Sequence, residues 1–172
     1  VEPSAFKDAI FGDVERELDV TRKVLSALPS DQFDWAPHTK SMSLGKLALH
    51  VATLPGWAQA ALAADVLDFA AAPRPPAQVE SSAELLAVFD NAANGLREEM
   101  ARFDPAGWNR PWTMRNGEQV FTTAPRPKVF RIWSLNHLVH HRGQLCLYLR
   151  LLNVVVPTVY FNTSDDPTWS FE

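Results

Sequence analysis

The chain has 172 residues, 47% of them hydrophobic and 21% charged, with a formal net charge of −4. That profile predicts a single globular domain over residues 1–172, large enough to bury a core. An acidic balance with no clustered basic face argues against a nucleic-acid partner, and no apolar run reaches the roughly 18 residues that mark a membrane span.

One cysteine, Cys146, excludes an internal disulfide and fits a reducing, cytoplasmic setting. Glu2, Lys7 and Asp8 interrupt any leader-like apolar run. The chain starts at Val1 rather than Met, so some residues are expected to have been trimmed or left out.

The first element is an amphipathic helix over residues 6–28. Its stripe is Phe6, Ile10, Val14, Leu18, Leu25 and Leu28, with Asp8, Glu15, Arg16, Asp19 and Lys23 mainly off it. Pro29 and Ser30 end it, and residues 31–43 form a connector in which Trp35 plugs one end of the core and His38 is solvated. Ser43 is a good N-cap for a second helix, which runs to about Phe69 with Leu47, His50, Val51, Leu54 and Trp57 facing inward. Pro55 should kink or split that helix. His50 is the odd member of this stripe, because an apolar face is a poor place for an unpaired polar ring.

Three prolines within residues 70–80 predict a partly extended connector. Ser81 and Glu84 then make a capping box for a third helix, whose inner face is Leu85, Phe89, Ala92, Leu96, Met100 and Phe103. Between residues 107 and 127 the periodicity changes. Two short runs flank Asn116-Gly117, the favoured pair for a two-residue turn, and predict a hairpin or ordered loop anchored by Trp108 and Trp112.

A long fourth helix over residues 130–152 carries three of the five histidines. At about 100° per residue, His137 and His141 differ by about 40° and stack on the face that also carries Phe130, Ser134, Gln144, Tyr148 and Leu152. Residues 153–172 have little helix character and wrap the surface. The whole predicts an all-α four-helix bundle with a short hairpin or ordered loop between helices 3 and 4. Bundles of this kind build metal sites from side chains on facing helices.

The candidate metal ligands are therefore His50, His137 and His141. Three neutral imidazoles with coordination positions left open match a catalytic site better than a closed structural one. The bland alternative is a set of ordinary polar residues on half-buried helices. His140 turns about 100° away from His141 and should face another helix or a subunit partner. Asn136, Gln144 or an acid of the first helix could hydrogen-bond the outer ring nitrogens.

The segment NHLVHHRGQLCLYLRLLNVVVP (histidine, three residues, His-Arg-Gly-Gln, then an apolar helix and Pro157) resembles the signature of the DinB/YfiT-like family. DWAPHTKSMSLGKLALHVATLPGW, with Trp35, Pro37, Ser43, Leu44 and His50 in order, is similar to that family's entry into its second helix. The resemblance covers most of the chain. It implies an up-down-down-up four-helix bundle, often a homodimer, with nickel or zinc on three histidines that map onto His50, His137 and His141. It also implies a thiol-dependent transferase or isomerase chemistry using low-molecular-weight thiols such as bacillithiol or mycothiol, although many members have no established activity.

Substrate choice is expected to lie with the connector over residues 104–127, through Trp108, Arg110, Trp112 and Arg115. Arg142 is a candidate for holding an anionic substrate, against a plainer role in a solvent-facing or dimer salt bridge. Trp57 and Tyr148 face inward and are candidates for core or pocket. Three readings follow: a metal-dependent S-transferase, isomerase or hydrolase acting on a small molecule; a non-catalytic dimeric metal-binding or stress-response protein; and a helical interaction module without metal. Ile132, Val139, Leu147 and Leu151 make the fourth helix apolar around much of its circumference, which favours a homodimer.

Overall fold

The computed structural model describes residues 3–71 and 78–166. The predicted proline-rich connector falls largely outside them. The first predicted helix is two: α1 (Pro3–Phe11) and α2 (Val14–Ser26). Gly12 is a weak helix former and sits at the break, while the Asp13 carbonyl accepts from the Glu17 N–H to start the second ladder at 3.1 Å. Val14, Leu18, Val24 and Leu25 are all but fully buried.

A loop follows in which Phe33 and Trp35 hand their carbonyls to the N–H groups of Gly45 and Leu44, each at 2.8 Å. A side chain at Gly45 would bring its Cβ to 2.9 Å from the Phe33 Cβ, so this approach requires glycine. The caps fall where the sequence places them. The Ser43 hydroxyl accepts from the Lys46 N–H at 3.4 Å and opens α3 (Leu44–Ala63). The Ser81 hydroxyl accepts from the Glu84 N–H at 3.2 Å and opens α4 (Ser82–Arg102), with the Glu84 carboxylate reaching back to the Glu80 N–H at 3.0 Å. Helix α3 runs unbroken through buried Pro55.

The all-α expectation needs correction. Helix α3 stops at Ala63, well short of Phe69, and the chain enters a strand, β1 (Val66–Asp68). β1 pairs in parallel with β2 (Pro111–Asn116), which pairs antiparallel with β3 (Gln119–Pro125), giving a three-stranded sheet. The reason for the early stop is tertiary. Buried Arg126, more than sixty residues downstream, donates to the carbonyls of Ala61, Leu62 and Ala64 and pairs with Asp65, closing the helix end.

The hairpin is present, but its two-residue turn is Gly117-Glu118, one position beyond the predicted pair. Gly117 takes φ 59°, which a turn with glycine in the first loop position requires. Met114 pairs with Thr122 and Arg115 with Val120, so Phe121 is a bulge residue with no partner across the ladder. Trp112 is fully buried with Ala61, Ala124 and Val129 in a small core of its own.

The fourth predicted helix also starts differently. A short turn, α5 (Arg126–Lys128), leads into a π-helical segment (Val129–Asn136), and regular helix, α6 (His137–Leu151), begins at the first histidine. Described residues of the tail fold back across α2 and α6.

Arg142 lies under that tail. It is 2% exposed, so it is neither a solvent-facing residue nor a substrate anchor. Its guanidinium meets the Glu17 carboxylate at 2.7 Å and donates to Thr21 Oγ1 at 3.1 Å and to the Tyr160 hydroxyl, which in turn donates to Glu17 at 2.8 Å. Cutting one partner from a buried pair leaves the other charge uncompensated. Arg142→Met is therefore expected to lower stability by about 3–5 kcal/mol in urea titrations, and adding Glu17→Leu to recover a large part of that loss. A double variant no more stable than the single one would contradict this account.

Candidate metal centre

Helix α3 presents His50 from its second turn, and α6 presents His137 at its first position and His141 one turn on. All three rings are half-buried. The ring centroids lie 4.8 Å apart for His50 and His137, 4.7 Å for His50 and His141, and 4.6 Å for His137 and His141. The nitrogens that converge are the Nε2 atoms. His137 Nε2 is 3.1 Å from His50 Nε2 and 2.9 Å from His141 Nε2.

What lies behind the rings fixes their protons. His137 Nδ1 faces the Trp133 carbonyl at 3.3 Å, and His141 Nδ1 faces the Gln144 amide oxygen at 2.6 Å. A carbonyl oxygen only accepts, so each Nδ1 carries a hydrogen, and in a neutral ring that leaves Nε2 as the bare nitrogen. Two bare lone pairs 2.9 Å apart repel each other unless a cation sits between them. A tetrahedral ion with Zn–N bonds of 2.0–2.1 Å would hold its nitrogens about 3.3 Å apart, a few tenths of an ångström wider than here. The donor set therefore fits a divalent ion with borderline-soft, imidazole-preferring character. Outer nitrogens tied to a carbonyl and an amide are what such ligands require. Sequence counting placed Gln144 near the site. It could not place the Trp133 carbonyl, because the π-helical segment before His137 breaks the 100° step; such segments recur at functional sites.

Burial sets the charge state. Loss of hydration, then the neighbouring His141 and His137, push His50 down from 6.5 to about 4. Burial likewise lowers His141, against a smaller opposing effect of Gln144. Both rings are thus neutral, ligand-ready bases at pH 7. Cys146 is not a member of the cluster, and burial pushes its thiol up.

The other predicted residues divide. His140 is exposed, with its ring 4.8 Å from that of His141, and it lines a cleft beside the triad together with Trp57 and Asn136. Trp112 does not reach the cleft. It is core, and its indole N–H points to the Ala60 carbonyl at 3.4 Å. Trp108 packs edge-on against Phe6, Phe11, Phe103 and Phe130, while Arg110 and Arg115 pair with Asp65 and Asp68. The connector does supply a cleft wall, but through Met114 and Thr122. Ile132, expected at a dimer face, and Trp133, given no role by the sequence pattern, also stand in the wall. Tyr148 is core, edge-on to Trp35 at 5.5 Å.

A helix assembly with a small sheet, holding three convergent imidazoles next to an open cleft, defines a class of protein with metal-binding geometry. The DinB family model matches residues 5–170, and the chain belongs to the DinB family. Among solved structures, a DinB-like protein from Bacillus cereus superposes with a TM-score of 0.69 at 19% identity, covering 89% of this chain and 97% of its own. A DinB-like protein from Bacillus subtilis gives 0.70 at 14% identity, covering 88% and 97%. These likenesses show a shared fold. No protein of curated function matches the sequence. Among the described residues, no helix is long and apolar enough to cross a membrane.

A pH dependence follows from the depressed histidine. The folded protein keeps His50 neutral down to about 4, whereas the unfolded chain takes up its proton near 6.5. Between those values the unfolded state binds more protons, so stability falls as pH drops. Metal-free protein is expected to melt lower at pH 5 than at pH 7.5, and the gap to shrink in His50→Gln. Equal acid sensitivity in the variant would remove His50 as the cause.

Proposed function

We propose that the protein is a divalent-metal-dependent enzyme acting on a small molecule, of the thiol-dependent S-transferase, isomerase or hydrolase type. Nickel or zinc is the ion of this reading, held by His50, His137 and His141, with a low-molecular-weight thiol as co-substrate in the transferase form of the reaction. The observation that carries it is the pair of bare Nε2 atoms of His137 and His141 facing each other at 2.9 Å beside an open cleft. A divalent ion held there would supply positive charge that lowers the pKa of a nucleophile and polarises an acceptor atom.

The chain's own residues do the rest. Gln144 and the Trp133 carbonyl hold His141 and His137 in the tautomer that leaves Nε2 free. Apolar packing around the triad limits water, and Trp57 with the hairpin positions what enters. The single cysteine suits a reducing, cytoplasmic setting. Protein purified without a histidine tag is expected to carry about one divalent ion per chain, and His137→Ala or His141→Ala to lose both the ion and any activity on a panel of thiols with electrophiles and esters. Full loading with no turnover across that panel would end the enzymatic part of the proposal.

A second reading, a non-catalytic dimeric metal-binding or stress-response protein, is favoured by the outer face of α6. Leu147 and Leu151, one turn apart, stay 57% and 52% exposed. Apolar residues repeated along one helix face are the usual material of a helix-on-helix interface. Light scattering is expected to show a homodimer that Leu147→Glu/Leu151→Glu converts to monomer with its metal retained. A wild-type monomer would rule the dimer out.

A further inference from the structure

The cleft beside the triad has a volume of about 450 Å³, within the range of small-molecule sites. Two indoles, Trp57 and Trp133, and the side chains of Met114 and Ile132 make its walls apolar. Polar atoms come from Thr122 and Asn136, and from His137 and His140 at the triad end. Among the described residues, no Lys, Arg, Asp or Glu lines it. The nearest arginine of the hairpin, Arg115, is turned away and paired with Asp68 at 3.0 Å.

The aromatic wall continues outward: the Trp57 ring lies 5.9 Å from Phe69, which lies 6.2 Å from Phe121. Phe121 is the bulge residue of β3 and is 48% exposed.

We propose that this cleft binds the uncharged aromatic part of the substrate, and that it selects against carboxylate and phosphate groups at that end. An anion entering here would shed its hydration against walls that return no counter-charge. A neutral ring, in contrast, gains burial of apolar surface and offset or edge-on packing on two indoles. The direction of entry follows from His137, which belongs both to the cleft lining and to the triad. A ring seated between Trp57 and Trp133 therefore carries its substituent toward the three Nε2 atoms. The inference rests on the metal-enzyme reading for what happens at that end, but not for the binding of the ring.

Calorimetry with 2-naphthalenemethanol and 2-naphthoate tests it, first on EDTA-treated protein so that no ion can capture the carboxylate. The neutral alcohol is expected to bind at least tenfold tighter than the carboxylate. Trp57→Ala should weaken it at least tenfold. Thr122→Lys, a strand-compatible change that adds a cation to the wall, should reverse the order and make naphthoate the tighter ligand. Lys40→Ala, in the exposed loop before α3 and away from the cleft lining, should change nothing.

A charged analogue binding wild type as tightly as the alcohol, no binding at all, or affinities that neither cleft variant moves would overturn the proposal. So would binding that disappears as the protein is concentrated, which would assign the cleft to a second copy of the chain. Neutral-ring binding in protein that never takes up an ion would leave the cleft standing and sink the metal reading; a loaded ion with no ring selectivity would do the reverse.

Discussion

Two hydrogen bonds on the far side of two rings decide what this molecule can do. Because the Trp133 carbonyl and the Gln144 amide oxygen can only accept, His137 and His141 must keep their protons on Nδ1 and turn bare nitrogens toward each other. Neutral imidazoles left to themselves would alternate donor and acceptor and satisfy one another. Here that solution is closed off, and the repulsion is relieved only by a positive charge at the centre. His50 arrives from another helix with its own proton affinity lowered by burial. The hydrogen bonds behind the rings thus help to turn three nitrogens into a group that could hold a metal ion.

Holding three rings to within ångströms from two helices requires that neither helix slide. Much of the restraint comes from buried arginines rather than from the apolar core alone. Arg142, next to His141, ties α6 to Glu17 and Thr21 on α2 and to Tyr160 of the tail. Arg126 ties the start of the π-helical segment to the end of α3, the helix that carries His50. Both are costly devices, because a buried guanidinium gives up its hydration, and at Arg126 the Nε is left without a partner. Their return is register: a one-residue slip of α6 would strand the Arg142 charge and part the histidines together.

Much of this was legible in the sequence, and the limits have physical causes. His137 and His141 lie within one regular helix, so counting at 100° per residue brings them together correctly. Ser43 and Ser81 act through neighbours three residues away, and both caps are where the pattern puts them. The hairpin was visible from Asn116-Gly117, although its two-residue turn sits one position further on and a bulge at Phe121 follows. What escaped was decided at long range. Past Ala63 the run Ala64-Asp65-Val66-Leu67-Asp68-Phe69 is mixed in propensity, and Arg126, folded back from far downstream, closes the helix end there, after which β1 pairs. Arg142, hydrophilic by type, gave no hint that Glu17 and Tyr160 would bury it. Trp133, to which the sequence pattern gave no role, enters the cleft wall from the π-helical segment.

The structure separates two jobs that a sequence pattern merges. The ligands stand on α3 and α6, rods locked by core packing, where a displacement of an ångström would be felt at all three rings. The outer wall stands on the hairpin, whose strands are mostly half-buried or exposed and whose small core is distinct from that of the bundle. Side chains such as Met114, Thr122 and Phe121 can therefore change without disturbing the packing that holds the histidines. On a scaffold of this kind, the chemistry at the centre is set by the rods and constrained by their register, while what is admitted to it is set by a three-stranded flap of surface. Likeness of fold to other DinB-like proteins at 14–19% identity consequently carries information about the rods and very little about the wall.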